Sequence, residues 1–249
     1  MSGWPEGYGR RVLAQVDSTN AEAARVAADL AGPEWILALE QTAARGRRGR
    51  AWSNPVGNFA ATLVLQPQEA PDQVALRSFA ASLALYDAFV EATGRETSFA
   101  LKWPNDVMLN GGKVAGILLE GVGAGTGVGA LAIGIGVNLK STPDVEGLEA
   151  RALRPVSLWS ETGVLVSPEA FLDLLAGAYA RYEAQFVTYG FEPLRQLWLS
   201  RAARIGEVIT ARTMRDEITG TFETIDPQGN LILRTPKERV PVPAADVFF

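Results

Sequence analysis

The chain is 249 residues long, 47% hydrophobic and 20% charged, with a formal net charge of −5. It contains neither cysteine nor histidine, which excludes disulfides, thiolate or imidazole metal sites, a cysteine nucleophile and Ser-His-Asp catalysis. Lys, Arg, Asp, Glu, hydroxyls and backbone dipoles remain, so positioning and electrostatic stabilisation are the expected chemistry. No apolar run is long enough to span a membrane. The opening MSGWPEGYGRR lacks the apolar centre of a signal peptide, and a cytoplasmic location is the expectation.

Residues 11–16 read as a short strand. DSTNAEAARVAADLAG follows, with Thr19 and Glu22 at capping-box spacing, predicting a helix that stops before Gly32 and Pro33. Residues 35–41 read as a strand running into QTAARGRRGRAW, where Arg45, Arg47, Arg48 and Arg50 fall within six residues. Ordering six residues costs about 6–12 kcal/mol. Neighbouring guanidiniums repel by about 1 kcal/mol per close pair in water. Little apolar area offsets this, so the loop is expected to stay mobile until an anion, phosphate or carboxylate, engages its forks.

Residues 59–66 read as a buried strand and 71–93 as a helix with its apolar positions on one face. Residues 98–103 form a strand ending in KWPND, whose proline bends the chain and sets Lys102, Asn105 and Asp106 beyond the sheet. Asn110-Gly111-Gly112 is a hairpin turn between strands 107–109 and 113–120. A glycine-rich turn at 121–129, a strand at 130–139 and helices at about 168–188 and 192–203 follow. From Ile205 the texture changes to short alternating segments broken by turns such as 226–230, predicting a small barrel of about five strands. The fold class expected is therefore α/β or α+β: a mixed sheet packed with helices over 1–204, then a small β-barrel over 205–249.

Two familiar phosphate cradles fail. Gly112-Lys113 is followed by Val114 where a P-loop needs Ser or Thr, and Val107 stands where its first glycine belongs. Neither GVGAGTGVG nor Gly134-Ile-Gly136 carries the dinucleotide spacing. Asn138, at the end of LAIGIGV, suits a turn cap better than a ligand.

DSTN at 17–20, the arginine loop at 45–50, KWPND at 102–106, GKVAGILLE at 112–120 and GIGVNL at 134–139 occur in that order. Together they resemble the biotin protein ligase family over nearly the whole chain, and the C-terminal segment is similar to that family's SH3-like domain. The resemblance implies that a biotin carboxylate attacks the α-phosphorus of ATP to give biotinyl-AMP. A lysine of a biotin carboxyl carrier protein then takes the biotin. ATP with Mg2+ is the implied cofactor, with metal ligands unassigned.

By the same resemblance, Ser18, Thr19, Asn20 and Gln41 line the ureido pocket, where uncharged donors and acceptors suit a neutral ring. Arg45, Gly46, Arg47, Lys113 and Gly116 complete the biotin site. Arg47, Arg50, Trp52, Asn105, Asp106, Lys113 and Asn138 form the ATP site, with Trp52 stacking on or covering the adenine. Lys113, Arg47 and Asp106 are the expected catalytic residues, Asp106 orienting the carrier lysine or meeting magnesium. The family loop usually begins Gly-Arg-Gly-Arg-Arg-Gly, and here Ala44 takes the first position, which disfavours positive φ.

DSTN at residue 17 leaves no room before it for a helix-turn-helix, so the ligase-only type, without DNA binding, is expected. A homodimer through exposed strand edges is also expected to be possible. Two other readings stand beside this one. A lipoate or octanoate ligase shares the acyl-adenylate logic, but the arginine loop and DSTN disfavour it. A nucleic-acid-binding module would use the arginine loop and the barrel, but the net negative charge disfavours that.

Overall fold

The computed structural model describes residues 3–50, 52–123, 129–143 and 151–249. Its first part is a seven-stranded sheet. The strands are β1 (Gly9–Leu13), β2 (Glu34–Ala38), β3 (Phe59–Leu65), β4 (Phe99–Lys102), β5 (Asp106–Leu109), β6 (Gly112–Val122) and β7 (Ala130–Val137), in the order β1-β2-β3-β7-β6-β5-β4. β1 and β2 pair in parallel and every other neighbour antiparallel.

Alternation along the strands sends side chains to two different faces. Trp35, Leu37, Leu63, Leu131, Ile133 and Ile135 join the main core. It is covered by α3 (Arg77–Thr93) and α5 (Pro168–Tyr189), with α2 (Pro71–Ala75) leading into α3 and α6 (Glu192–Ser200) alongside. Edge-to-face pairs such as Phe59–Phe171, 5.3 Å between centroids, lock these helices onto the sheet, each contributing about 0.5–1.5 kcal/mol beyond burial. Ile36, Val64 and Ala132 point the other way and cluster with Ala23 and Ala27 of the short α1 (Thr19–Val26) and the turn after it, with Leu13, Val26, Leu30 and Val122 packed around them. α1 covers one end of that second face, and the rest of it is free to form a site.

The second part is a five-stranded antiparallel sheet of β8 (Val208–Arg212), β9 (Glu217–Ile225), β10 (Leu231–Arg234), β11 (Arg239–Val242) and β12 (Asp246–Phe248), ordered β11-β10-β9-β8-β12. The mixed sheet with helices and the five strands from residue 205 agree with the fold class expected. The two sheets share one apolar core, and Trp103 Nε1 donates to Gly229 O at 3.1 Å across the junction.

Several local expectations change. β1 begins at Gly9 and ends at Leu13, and Val16 makes only an isolated parallel bridge to Gln41. The capping box does not form. Ser18 is the N-cap residue, without a side-chain cap bond. The Thr19 hydroxyl instead meets Gln41 Oε1 at 3.2 Å, and Glu22 pairs with Arg25. The 71–93 helix is two helices meeting at Leu76. The sequence reading missed α4 (Leu158–Thr162), a single turn held by a Ser157–Ser160 capping box. Residues 124–128 of the expected glycine-rich turn lie outside the described residues.

Candidate active site

All fourteen residues expected at the site line one cavity of about 580 Å³ on the sheet's second face. Its neutral end is built where α1 begins. Thr19 N–H donates to Gln41 Oε1 at 2.8 Å, and Val16 and Thr42 tie the two segments by backbone bonds. Ser18, Thr19 and Asn20 are buried there at 6%, 4% and 5% exposure.

Glycines form the floor. Gly116 of β6 and Gly136 of β7 face each other in register. A Cβ on Gly136 would stand 2.5 Å from Trp52 Cε2, and one on Gly116 3.4 Å from Trp52 Cζ3. The indole therefore lies against the backbone where side chains would otherwise be. The alternating Gly134-Ile-Gly136, discarded in the sequence as a failed nucleotide motif, was the signal for this close approach.

The cationic end depends on a bulge. In β6 the register shifts so that Met108 pairs with Lys113 and Val107 with Ala115, leaving Val114 as the extra residue. Strict alternation would put Lys113 on the helix-covered face with Ala115 and Ile117. The bulge turns it to the cavity face beside Gly116, from whose Cβ position Lys113 Nζ is 3.3 Å away. Lys113 Nζ also sits 2.7 Å from Asp106 Oδ1 and 5.5 Å from the Trp52 ring centre.

The Asp106 side chain is 12% exposed, with Lys102 Nζ 3.6 Å away on its other side. Burial pushes its carboxyl up, but Lys113 and Lys102 outweigh this and hold it below the ordinary carboxylate range. Burial lowers the Lys102 ammonium, with Asp106 opposing. Asp106 Oδ1 has no well-directed hydrogen bond despite its close ion pair. Asn105 is fixed by its amide donating to Ile117 O at 2.6 Å, and it accepts from Arg47 Nη1 at 3.2 Å. Asn138 lines the cavity, and its Nδ2 donates to Val156 O at 3.1 Å.

The arginine loop differs from expectation. Its charges already have carboxylate partners. Asp246 of β12 lies 2.8 Å from Arg48, 3.0 Å from Arg50 and 4.0 Å from Arg47, with Arg212 at 3.5 Å. Arg45 meets Glu120 at 3.3 Å. Burial pushes the Asp246 carboxyl up, and Arg50 and Arg48 more than reverse it. Burial lowers the Arg47 guanidinium despite Asp246. Asp246, Val247 and Phe248 are part of the cavity wall, whereas every residue singled out from the sequence precedes position 140. The left-handed turn falls on Arg48 (φ 57) and Gly49 (φ 72), and Ala44 has no positive φ. Its carbonyl simply accepts from Trp52 N–H at 3.1 Å, so the alanine introduces no strain there.

The donor set does not fit a protein-held metal. Among the described residues no group of three or more acidic side chains could hold an ion, and the cavity's Asp106 and Asp246 are both engaged by cations. Magnesium would enter on the nucleotide's own phosphates, as part of the substrate.

Comparison with known proteins identifies the family to which this arrangement belongs. Residues 12–138 match the biotin/lipoate A/B protein ligase family, and residues 205–249 match the biotin protein ligase C-terminal domain. The biotin–[acetyl-CoA-carboxylase] ligase of Paracoccus denitrificans is 59% identical over 238 residues, covering 96% of this chain and 99% of its own. The bifunctional ligase/repressor BirA of Bacillus subtilis is 30% identical over 213 residues, 85% of this chain and 65% of that one. In fold, the Aquifex aeolicus biotin protein ligase solved with biotin and ATP superposes with a TM-score of 0.80 at 24% identity, over 96% of this chain and 98% of that one. With both domain models matched in order and a relative this similar along nearly its whole length, the chain belongs to the biotin protein ligases of the biotin/lipoate A/B protein ligase family.

Proposed function

We propose that this chain joins biotin to ATP, forming biotinyl-5'-AMP and pyrophosphate, and then transfers the biotinyl group to a lysine of a biotin carboxyl carrier protein. The observation that carries this is the polarity of the cavity of about 580 Å³. A neutral pocket of hydroxyls and amides leads past a glycine floor to Lys113, Arg47 and Arg50. A molecule with a ureido ring, an apolar tail and a terminal carboxylate fits that order of surfaces.

In the first step a biotin carboxylate oxygen bonds to the α-phosphorus as the bond to pyrophosphate breaks. Negative charge builds on the phosphoryl oxygens, and Lys113 and Arg47 stand where that charge develops. Fixed cations in a partly dry site stabilise it more than water would. Arg50 and Arg48 face the outgoing phosphates, and Trp52 offers a ring for the adenine. In the second step the carrier amine attacks the acyl carbon and AMP leaves. Asp106, its carboxyl held below the usual range, is a weak proton acceptor. It orients the amine and balances its charge.

The same reading divides the chain into a catalytic unit, 1–204, and a small unit, 205–249, whose β12 closes the cavity. No described helix is long and apolar enough to cross a membrane; we place the enzyme in the cytoplasm, where its carrier would be, and assign it no DNA-binding role. The outer edge of β1 is the surface we assign to a homodimer, because the other edge, β4, is bonded to residues 201 and 203. Incubation with biotin, ATP and a biotin carboxyl carrier domain tests the function. One biotinyl group on one carrier lysine is expected, and an unmodified carrier would contradict it.

A further inference from the structure

Asn20 does not stand alone at the neutral end. Its side chain lies on Gly134, where any Cβ would collide with it, and it spans three adjacent strands. On one side Thr62 of β3, fully buried, donates to Asn20 Oδ1 at 2.6 Å. On the other, Asn20 Nδ2 donates to Glu120 Oε2 of β6 at 2.7 Å. A carboxylate only accepts, so the Asn20 amide can be oriented one way. Thr62 also lies 2.8 Å from Thr19 Oγ1, which carries the same network to Gln41. Glu120 then reaches outward: its Oε1 lies 3.3 Å from Arg45 Nη2, the first cation of the arginine loop.

Glu120 is outside the cavity lining. It lies eight positions beyond the start of β6 and was read from the sequence only as the end of a strand. Yet it is bonded both to the Asn20 amide and to Arg45 of the arginine loop.

Resting on the biotin ligase reading, we propose that Glu120 is a positioning residue for biotin. It fixes which face of the Asn20 amide the ureido ring meets and ties Arg45 down over the same ligand, without touching biotin itself. Thr62 is its counterpart on β3. Recognition of the ring and closure of the loop are coupled through this one carboxylate. The nucleotide end, across the Trp52 ring, does not depend on it.

The test is biotin affinity by calorimetry, together with steady-state adenylation, for Glu120→Ala, Glu120→Gln, Arg45→Ala and the double variant Arg45→Ala/Glu120→Ala. A hydrogen bond to a charged group, lost at a partly buried site, corresponds to an affinity change of about tenfold or more. Glu120→Ala should weaken biotin by about tenfold and raise KM for biotin equally, with KM for ATP and the biotin-saturated kcat nearly unchanged. Glu120→Gln keeps an acceptor for Asn20 and should recover most of the loss. The double variant should be less impaired than the product of the single effects. A biotin affinity unaltered in Glu120→Ala overturns the proposal. So does an equal loss in kcat, KM for ATP and thermal stability, which would mark a merely structural role. Unaltered protein that binds biotin but forms no adenylate would refute the ligase reading, while the affinity ratios would still decide the role of Glu120.

Discussion

Asp246→Ala isolates the contact that the sequence did not reveal. The carboxylate gathers Arg48 at 2.8 Å, Arg50 at 3.0 Å, Arg212 at 3.5 Å and Arg47 at 4.0 Å, with its own side chain only 16% exposed. Single exposed pairs contribute about 0.2–1 kcal/mol each. Removing the shared anion also leaves neighbouring guanidiniums facing one another, which repel by about 1 kcal/mol per close pair. Taken together, losing Asp246 should ease opening of the loop by about 2 kcal/mol. At 1.4 kcal/mol per tenfold, that is about a thirtyfold rise in the open population.

Limited trypsin digestion reads this directly, because cleavage tracks the open population when reclosing outpaces cutting. Unliganded wild type should be cut slowly at residues 45–50, and the variant about thirtyfold faster. Biotin with ATP should restore protection, since phosphate replaces the carboxylate among the same forks. Equal cleavage of wild type and variant without ligand would refute the argument that Asp246 holds the loop.

Lys113→Ala should lower adenylation by about 30- to 1,000-fold at saturating biotin and ATP, as for a lost donor to a developing anion; near-normal pyrophosphate exchange would remove the residue from that role. Gly136→Ala sets a Cβ 2.5 Å from the rigid Trp52 ring, so the indole must move. A change in tryptophan fluorescence and a destabilisation of about 1–3 kcal/mol are expected, and an unchanged emission spectrum would contradict the placement of Trp52. Asp106→Asn should slow transfer to the carrier more than adenylate formation, measured by single-turnover assays of each step; equal losses in both would argue against a role in orienting the amine. Asp106 and Asp246 both have carboxyls held below the ordinary value of 3.8. Their contribution to stability is full above that pH and is lost as pH falls through the lower folded-state values. Thermal stability should therefore drop more steeply below pH 3.8 in wild type than in Asp106→Asn; parallel curves would show that this carboxylate contributes nothing.

The features legible in the sequence were local ones. Phe59–Leu65 emerged almost as read, because an unbroken apolar run between turns has few other uses. The Asn110-Gly111 hairpin formed because both residues take positive φ, 48 and 81. The residues that line the cavity were picked out through five motifs whose spacing is that of a family, not through periodicity. What stayed hidden depends on pairing between distant segments. Asp246 is one of 28 acidic residues, and nothing near it in the chain marks it as the partner of a loop some two hundred positions earlier. The turn of Lys113 toward the cavity depends on a bulge that only pairing with β5 creates. Thr19 and Glu22 had capping-box spacing, but Gln41 and Thr62 offered the Thr19 hydroxyl partners from distant segments, and tertiary contact overrode the local signal.

Pyrophosphate exchange into ATP, measured with the intact protein and with biotin, lipoate or octanoate as the only acid, tests the central claim most directly. Adenylation requires the ureido pocket and the cationic end to act on one molecule in one cavity. Exchange should be strong with biotin, near background with lipoate and octanoate, and lowered about 30- to 1,000-fold when Lys113 is replaced by alanine. Exchange driven by lipoate or octanoate at least as well as by biotin would contradict the account.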